Sequence, residues 1–422
     1  MTRKPKISPP PVELRTDPNT IQQVRHYSLI TPLYGGGVEP NKADPISVVR
    51  GSEVRGHLRF WWRAMRGNQN GSTTAAMLQR EAEIWGIAGG AGNGGPSKVI
   101  IELQNTDPGM VFQAEDNRGQ PIKDIGHFRS KDSYVAFPLR NQSAVLFENV
   151  CFDLVISFPR VYEDDVNAAL WAWETFGGIG ARTRRGFGAL VCESIDDINN
   201  PLVSQEGLED DIDEHLKEYI VNRSFPRGVP HLKPGSNYKV VKSENSLEVD
   251  AWRRLINNYQ AFRQSRPGGS LRHPGRSHWP APDVIRRNMP NRNRRHQPTH
   301  RVKGKIPRAK FGLPIIFQFK PGDNDPGNTT LQGLGDIDRM ASPLILRPLR
   351  CADGAAGLAI ILEWDPISPG DEQYTPPGGL QLISGTRSWP VKSDLDPDDI
   401  ADIEPLRIVR EHNPLTAFLD TL

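Results

Sequence analysis

Residues 51–67, GSEVRGHLRFWWRAMRG, bring four arginines and two tryptophans into about four helical turns. At roughly 100° per residue, Val54, Leu58, Trp61 and Met65 share an arc of about 60°, the spacing of a buried face. Arg55, Arg59, Arg63 and Arg66 fall within an arc of about 80° on another side. Like charges so placed repel by about 0.2–0.5 kcal/mol per pair, so the stripe costs helix stability unless a phosphate or a carboxylate lies along it. Trp62 sits between stripe and core face, where it is either buried or a plane for stacking. Gly56 leaves the backbone beside the stripe open to close approach, and Ser52 is the expected N-cap. The plainer reading is a solvated basic face paired to nearby acids.

Working outward, IQQVRHYSLITPLY upstream has the β-branched and aromatic content of a strand and ends at Gly35, Gly36 and Gly37. Downstream, MLQREAEIWGI reads as a helix, KVIIELQ and AVLFENVCFDLVISFP as strands, and VYEDDVNAALWAWETF as a second amphipathic helix with Val166, Leu170, Trp173 and Phe176 on its apolar side. GALVCESI returns as a strand. Alternation of this kind predicts an α+β chain of two tandem ferredoxin-like, RRM-related units. The expected division is a flexible N-terminal tail over 1–20, a first ferredoxin-like unit over 21–195, an acidic irregular linker over 196–230, and a second unit over 231–422. Within the last, NYKVVK, the helix SLEVDAWRRLINNYQAFRQS and the strands LPIIFQF, PLILRPLR and GLAIILEW are expected to rebuild a sheet, and NPLTAFLDTL to close as a short amphipathic helix. A basic insertion over 266–310, rich in Pro, Gly, Arg, Asn and His, reads as an excursion ordered by a ligand rather than a packed element.

The chain has 422 residues and a net charge of only +2, yet its charge is segregated. Residues 251–310 hold 13 Arg and 3 Lys against one acid, Asp283. A block of that sign predicts a polyanionic partner, the alternative being a solvated segment. The three cysteines, Cys151, Cys192 and Cys351, have no metal-binding spacing and suggest no disulfide framework, so a reducing cytoplasm is expected. No apolar run is long enough to predict secretion or membrane insertion.

After the second helix comes GGIGARTRRGFG, with Gly178, Gly180, Gly186 and Gly188 around Arg182, Arg184 and Arg185. Its glycines would let backbone amides face an anion, and its arginines add charge-assisted contacts. It is not a Walker loop, which ends in Gly-Lys-Ser/Thr and follows a strand. A tight turn with exposed arginines is the alternative. His26 and His57 have the chemistry of general bases, but His57 falls away from the arginine stripe and His26 stands alone in sequence. The histidines of the excursion, His273, His278, His296 and His300, have no carboxylate close in sequence to orient them. The acids at 209–214 and 394–404 lie in solvated or partner-docking runs rather than converging on a metal, and no metal or cofactor is expected.

The stretches ITPLYGGG, VVRGSEVRGHLRFWWRA, REAEIWG, GGIGARTRRGFGAL, KFGLPI and RMASPLILRPL, in that order between about residues 24 and 350, resemble the first RAMP subunit of type III-B CRISPR (Cmr) effectors. The resemblance implies a non-catalytic subunit near the guide's 3′ end, contacting guide (crRNA) and target RNA and neighbouring backbone and capping RAMP subunits. Target cutting and cyclic-oligoadenylate synthesis are then assigned to other subunits. It also implies RNA-facing roles for Arg50, Arg55, Arg59, Trp62 and Arg63 of the helix motif, and for Arg182, Arg184, Arg185, Gly186 and Gly188 of the loop. Arg286, Arg287, Arg294 and Arg295 of the basic insertion join them on charge alone. The competing readings are a RAMP endoribonuclease that processes guide precursor through a histidine, and a stand-alone single-stranded RNA-binding protein.

Overall fold

The computed structural model describes residues 17–37, 44, 46–87, 95–142, 144–244, 247–267 and 275–422. The stretches 1–16, most of the expected tail, and 268–274, which includes His273, lie outside them.

The first half threads strand β1 (Thr20–Leu29), helix α1 (Gly51–Arg66), helix α2 (Thr74–Trp85), strand β2 (Ile100–Asp107), strand β3 (Cys151–Pro159), helix α3 (Glu163–Phe176) and strand β4 (Leu190–Ile195). All strand pairs are antiparallel and run in the order β2-β3-β1-β4, with the short strand Ile198–Asn199 beyond β4. With α1 and α3 as the two crossovers, this is the βαββαβ ferredoxin-like arrangement. In β3 Phe152, Leu154, Ile156 and Phe158 turn inward, the period-2 pattern of a half-buried strand. The expected apolar face of α1 is core: Val54, Leu58, Trp61 and Met65 are buried, as are Val166, Leu170, Trp173 and Phe176 of α3. Arg50, not Ser52, is the N-cap of α1, and its side chain makes no capping bond.

The expected irregular linker instead contains helix α4 (Leu208–Tyr219), which buries Leu208, Ile212 and Leu216 in the first core and leaves its acids on the solvent face. The i, i+4, i+8 apolar spacing accounts for the helix; the density of acids had masked it.

The second half threads strand β5 (Tyr238–Lys242), helix α5 (Glu248–Arg263), helix α6 (Ala281–Asn288), then strands β6 (Ile315–Phe317), β7 (Thr329–Gly333), β8 (Leu344–Cys351), β9 (Gly354–Ile361), β10 (Leu380–Ser384) and β11 (Arg387–Val391), and helix α7 (Pro414–Asp420). Strands β8-β9-β5 form one antiparallel sheet, covered by α5. Phe418 of α7 packs 5.3 Å from Tyr259 and 5.6 Å from Phe262 of α5. This is the ferredoxin-like βαββα order with three of its four strands. LPIIFQF does not join it: β6 pairs instead with β7 in a separate sheet, β6-β7-β10-β11. Over 275–310 the basic excursion is likewise packed. Helix α6 buries Val284 and Ile285, and Trp279 and Ile306 around it are fully buried.

The two halves meet where β8 runs past the glycine and arginine loop. Arg347 of β8, 1% exposed, donates to the carbonyls of Gly177 (2.8 Å) and Leu190 (2.9 Å) in the first half and of its neighbour Pro348 (3.1 Å). Burial pushes its guanidinium down to about 9 against the attraction of Glu174, so it stays charged at neutral pH.

Candidate nucleic-acid interface

The arginine stripe of α1 has its carboxylate. Glu81 of α2, 1% exposed, accepts from Arg59 Nε at 2.6 Å and from Arg63 Nη1 at 2.7 Å, while those two side chains remain 34% and 31% exposed. Arg55 donates to Ser97 Oγ (2.6 Å) and the Val99 carbonyl (2.9 Å), and Arg50 donates to the carbonyl of Gly36. Arg66, 13% exposed, lies 3.7 Å from Asp165 and donates to the Tyr219 carbonyl at 2.8 Å, so three of the four stripe arginines face a carboxylate. Trp62 is not a stacking plane. It is 0% exposed and its indole N–H donates to Asp165 of α3 at 2.8 Å, so its ring belongs to the core between α1 and α3.

His57 is pushed down to about 4 by burial, which leaves it neutral at pH 7. His26 lies on the face of the sheet away from Tyr27 and the helices, 42% exposed, with Nδ1 2.6 Å from Asp153 Oδ1. Asn105 donates to the other oxygen of that carboxylate at 2.6 Å. The orienting acid comes from the neighbouring strand, beyond the reach of sequence proximity.

In the loop the glycines serve packing rather than anion binding. Gly186 (φ +80°) lies against Trp252, whose indole N–H donates to the Arg185 carbonyl at 2.7 Å, and a Cβ on Gly188 (φ +60°) would strike the Ile179 carbonyl. The amides turn inward too: Gly188 donates to Pro32, Gly186 to Thr183, and Gly180 to Glu53 Oε1 at 2.7 Å. Glu53, from the first turn of α1, thus pins the loop, and burial raises its carboxyl pKa despite the Gly180 N–H and Arg50.

The three loop arginines divide. Arg184 donates to the Ser342 carbonyl (2.5 Å) with its guanidinium 5.5 Å from the Phe60 ring, and Arg185 donates to the Leu344 carbonyl (2.8 Å) and the Tyr259 hydroxyl (3.1 Å). Arg182 lies in the left-handed region at φ +61°; among the described residues it makes no ion pair and its buried Nε has no partner. Burial, with Arg185 close by, pushes Arg182 and Arg184 down to about 10.

Two arginines that sequence reasoning did not single out complete the group. Arg263, at the end of α5, donates to the Tyr134 hydroxyl (3.2 Å) and stands 5.3 Å from the Tyr259 ring, with Arg185 5.0 Å from the same ring. Arg308, in the short 3-10 turn Pro307–Phe311, donates to the Arg263 carbonyl at 2.8 Å. Burial, with Arg263 nearby, pushes it down to about 9. Among the described residues no carboxylate lies within ion-pair distance of Arg182, Arg184, Arg185, Arg263 or Arg308. Asp132, two residues before Tyr134, is closed in a two-pronged pair with Arg253 (2.8 and 3.0 Å). Five uncompensated guanidiniums therefore converge from three segments on the seam between the halves. Their signal in sequence was weak, since Arg263 and Arg308 lie inside a run of basic residues in which each arginine looks like the next.

In that run several charges are matched from afar. Arg286 makes a two-pronged pair with Asp325 (2.9 and 2.8 Å) and reaches Asp283 at 2.9 Å. The buried Arg294 lies 3.3 Å from Asp325, and Arg287 donates to the carbonyls of Val302 and His300. These three are structural. Arg295 stays 66% exposed beside Asp323. The acidic run at 394–404 covers another part of the excursion, with Lys305 on Asp396 and Asp399, Lys310 on Asp394, His300 on Asp402 and His278 on Glu404. His296 faces Asp323 at 3.5 Å. Among the described residues, His278, His296 and His300 of the excursion are thus paired to distant acids.

Among the described residues, no cluster of three or more His, Cys, Asp or Glu side chains is placed to hold a metal, and no helix is long and apolar enough to cross a membrane. All three cysteines are free. Residues 26–191 match the model of the RAMP superfamily. No curated protein matches the chain. Among solved structures, the chain is similar to Cmr1 from Pyrococcus furiosus in its apo form, at 16% identity and a TM-score of 0.46, over 83% of this chain and 91% of that one. It is also similar to chains of type III-B Cmr-beta bound to cognate target RNA, at 12% identity and a TM-score of 0.45, over 94% of this chain and 99% of that one. A second state of that complex, with AMPPnP and in the presence of ssDNA, gives 12% identity, a TM-score of 0.45, and coverage of 96% and 98%. The stretch that matches the RAMP superfamily model includes both α1 and the glycine and arginine loop.

Proposed function

We propose that this protein is a non-catalytic RNA-binding subunit of a type III-B CRISPR effector, gripping the backbone of guide or target single-stranded RNA and docking on other RAMP subunits. The observation that carries the reading is the seam of five arginines with no carboxylate among them. Uncompensated like charges held half-buried cost stability, and a polyanion relieves that cost while releasing counterions. The open sides of Arg55, Arg59 and Arg63 extend the same positive surface along α1. The sequence motifs that resemble the first Cmr RAMP subunit lie on these same elements, from VVRGSEVRGHLRFWWRA on α1 to RMASPLILRPL on β8. In this reading the chain divides as a ferredoxin-like RAMP unit over 21–195, a connecting segment over 196–230, and a second ferredoxin-like unit over 231–422 that carries the basic excursion.

A second reading, guide-processing ribonuclease, has one observation in its favour, the solvent-facing His26 oriented by Asp153. Among the described residues no cation is in contact with that pair to steady a pentacoordinate phosphate. Co-expression with a backbone RAMP subunit and guide RNA, followed by purification through a tag on this chain, tests the assembly. Recovery of both partners is expected. A chain that binds RNA tightly but recovers no partner is the stand-alone binder instead.

A further inference from the structure

We propose that Arg182, Arg263 and Arg308 form one phosphate-binding site assembled from both halves of the chain, and that the phosphate it holds clamps those halves together. The inference rests on the RNA-binding reading only for the polymer that brings the phosphate. Arg182 comes from the first half; Arg263 and Arg308 come from α5 and the 3-10 turn of the second. Tyr259 and Tyr134 hold the group in place. Arg185 and Arg263 both lie against the Tyr259 ring, and the Tyr134 hydroxyl takes one N–H of Arg263.

The hydrogen bonds sort the arginines by role. Arg184 and Arg185 spend their N–H groups on the carbonyls of Ser342 and Leu344, which fixes the loop on β8. They are positioning residues. In contrast, Arg182, Arg263 and Arg308 each keep a buried Nε with no partner among the described residues. An unpaired buried donor is costly, and more so when charged. A tetrahedral oxyanion offers several acceptors to donors arriving from different directions, and its charge answers the repulsion between Arg263 and Arg308 and that of Arg185 on Arg182. Arg182 also sits in the left-handed backbone region, a conformation rare for a residue with a Cβ and one that presents a side chain out of a tight turn.

The test uses the full chain with two probes, inorganic phosphate and a labelled single-stranded RNA. With inorganic phosphate exchanged for chloride at constant ionic strength, the wild-type melting temperature is expected to rise by about 2 °C or more, whereas Arg182→Ala and Arg263→Ala show no rise. In chloride alone, Arg182→Ala melts no lower than wild type, because it removes an uncompensated charge; a purely structural arginine would show a drop. With RNA, each variant weakens binding about tenfold and lowers the slope of log affinity against log salt by about one. Arg182→Lys, which keeps the charge without the planar fork, folds like wild type and binds between the two, so a misfolded alanine variant does not end the test. Wild type that binds RNA while both alanine variants keep its affinity and slope, with no phosphate-induced rise, overturns the site and leaves the RNA reading standing. A phosphate-induced rise without RNA binding supports the site and overturns the RNA reading.

Discussion

Arg347 Nη1, on β8 of the second half, donates to the Gly177 carbonyl at 2.8 Å, just where α3 gives way to the glycine and arginine loop. Through that bond and its partner on Leu190, a single buried guanidinium ties the second ferredoxin-like sheet to the loop that presents Arg182.

Replacing it with methionine keeps the volume but leaves two carbonyls of the first half without their donor. Arg347→Met is expected to lose about 2–4 kcal/mol in urea unfolding, and Arg347→Lys less, because an ammonium can keep one of the bonds.

Glu81 is the buried counterion of Arg59 and Arg63, so Glu81→Gln separates stability from RNA affinity. Unfolding should become easier by about 3 kcal/mol, the cost of leaving one side of a buried charge pair unmatched. RNA binding at low salt should hold or tighten, since two half-exposed guanidiniums are freed for phosphate. A loss of RNA affinity in a folded E81Q protein would mean that the stripe is purely structural.

Asp283 sets an acid limit on the basic excursion. Burial opposes its ionisation, but the backbone N–H groups of His300 and Thr299 and the guanidiniums of Arg286 and Arg276 hold the carboxyl down at about 2. A depressed carboxyl contributes stability above its unfolded value near 4 and loses it as pH falls toward 2, here about 2 kcal/mol. Hydrogen exchange at the Thr299 and His300 amides should accelerate, relative to the intrinsic rate, between pH 4 and 2. In Asp283→Asn the protection should be weak at pH 7 and change little with acid.

If the chain is a binding subunit, single-stranded RNA incubated with it stays intact on denaturing gels, with or without EDTA, and His26→Ala changes nothing. Discrete products that disappear in His26→Ala would make the His26 and Asp153 pair catalytic.

The fold was legible wherever periodicity carried the information. The core face of α1 and the alternation along β3 follow from spacing alone, and both ferredoxin-like units could be anticipated from the order of elements. Contacts between segments distant in sequence could not. Trp62 looked free to stack because its partner, Asp165, lies 103 residues away, and Arg184 looked free for phosphate because the Ser342 carbonyl lies 158 residues away. The excursion looked like an uncompensated charge block because its acids, Asp323, Asp325 and the run from Asp394, come later in the chain. Conversely, Arg263 and Arg308 stand out only once folding has left them without an acid.

The most direct test of the central claim is the salt dependence of single-stranded RNA binding by the purified full chain, set beside a duplex of the same sequence. The account predicts intact RNA, a single-strand preference, and affinity that falls steeply with salt, with a shallower slope in a protein carrying Arg182→Ala and Arg263→Ala together. Affinity that is absent at low salt, or a slope unchanged in that double variant, would contradict it.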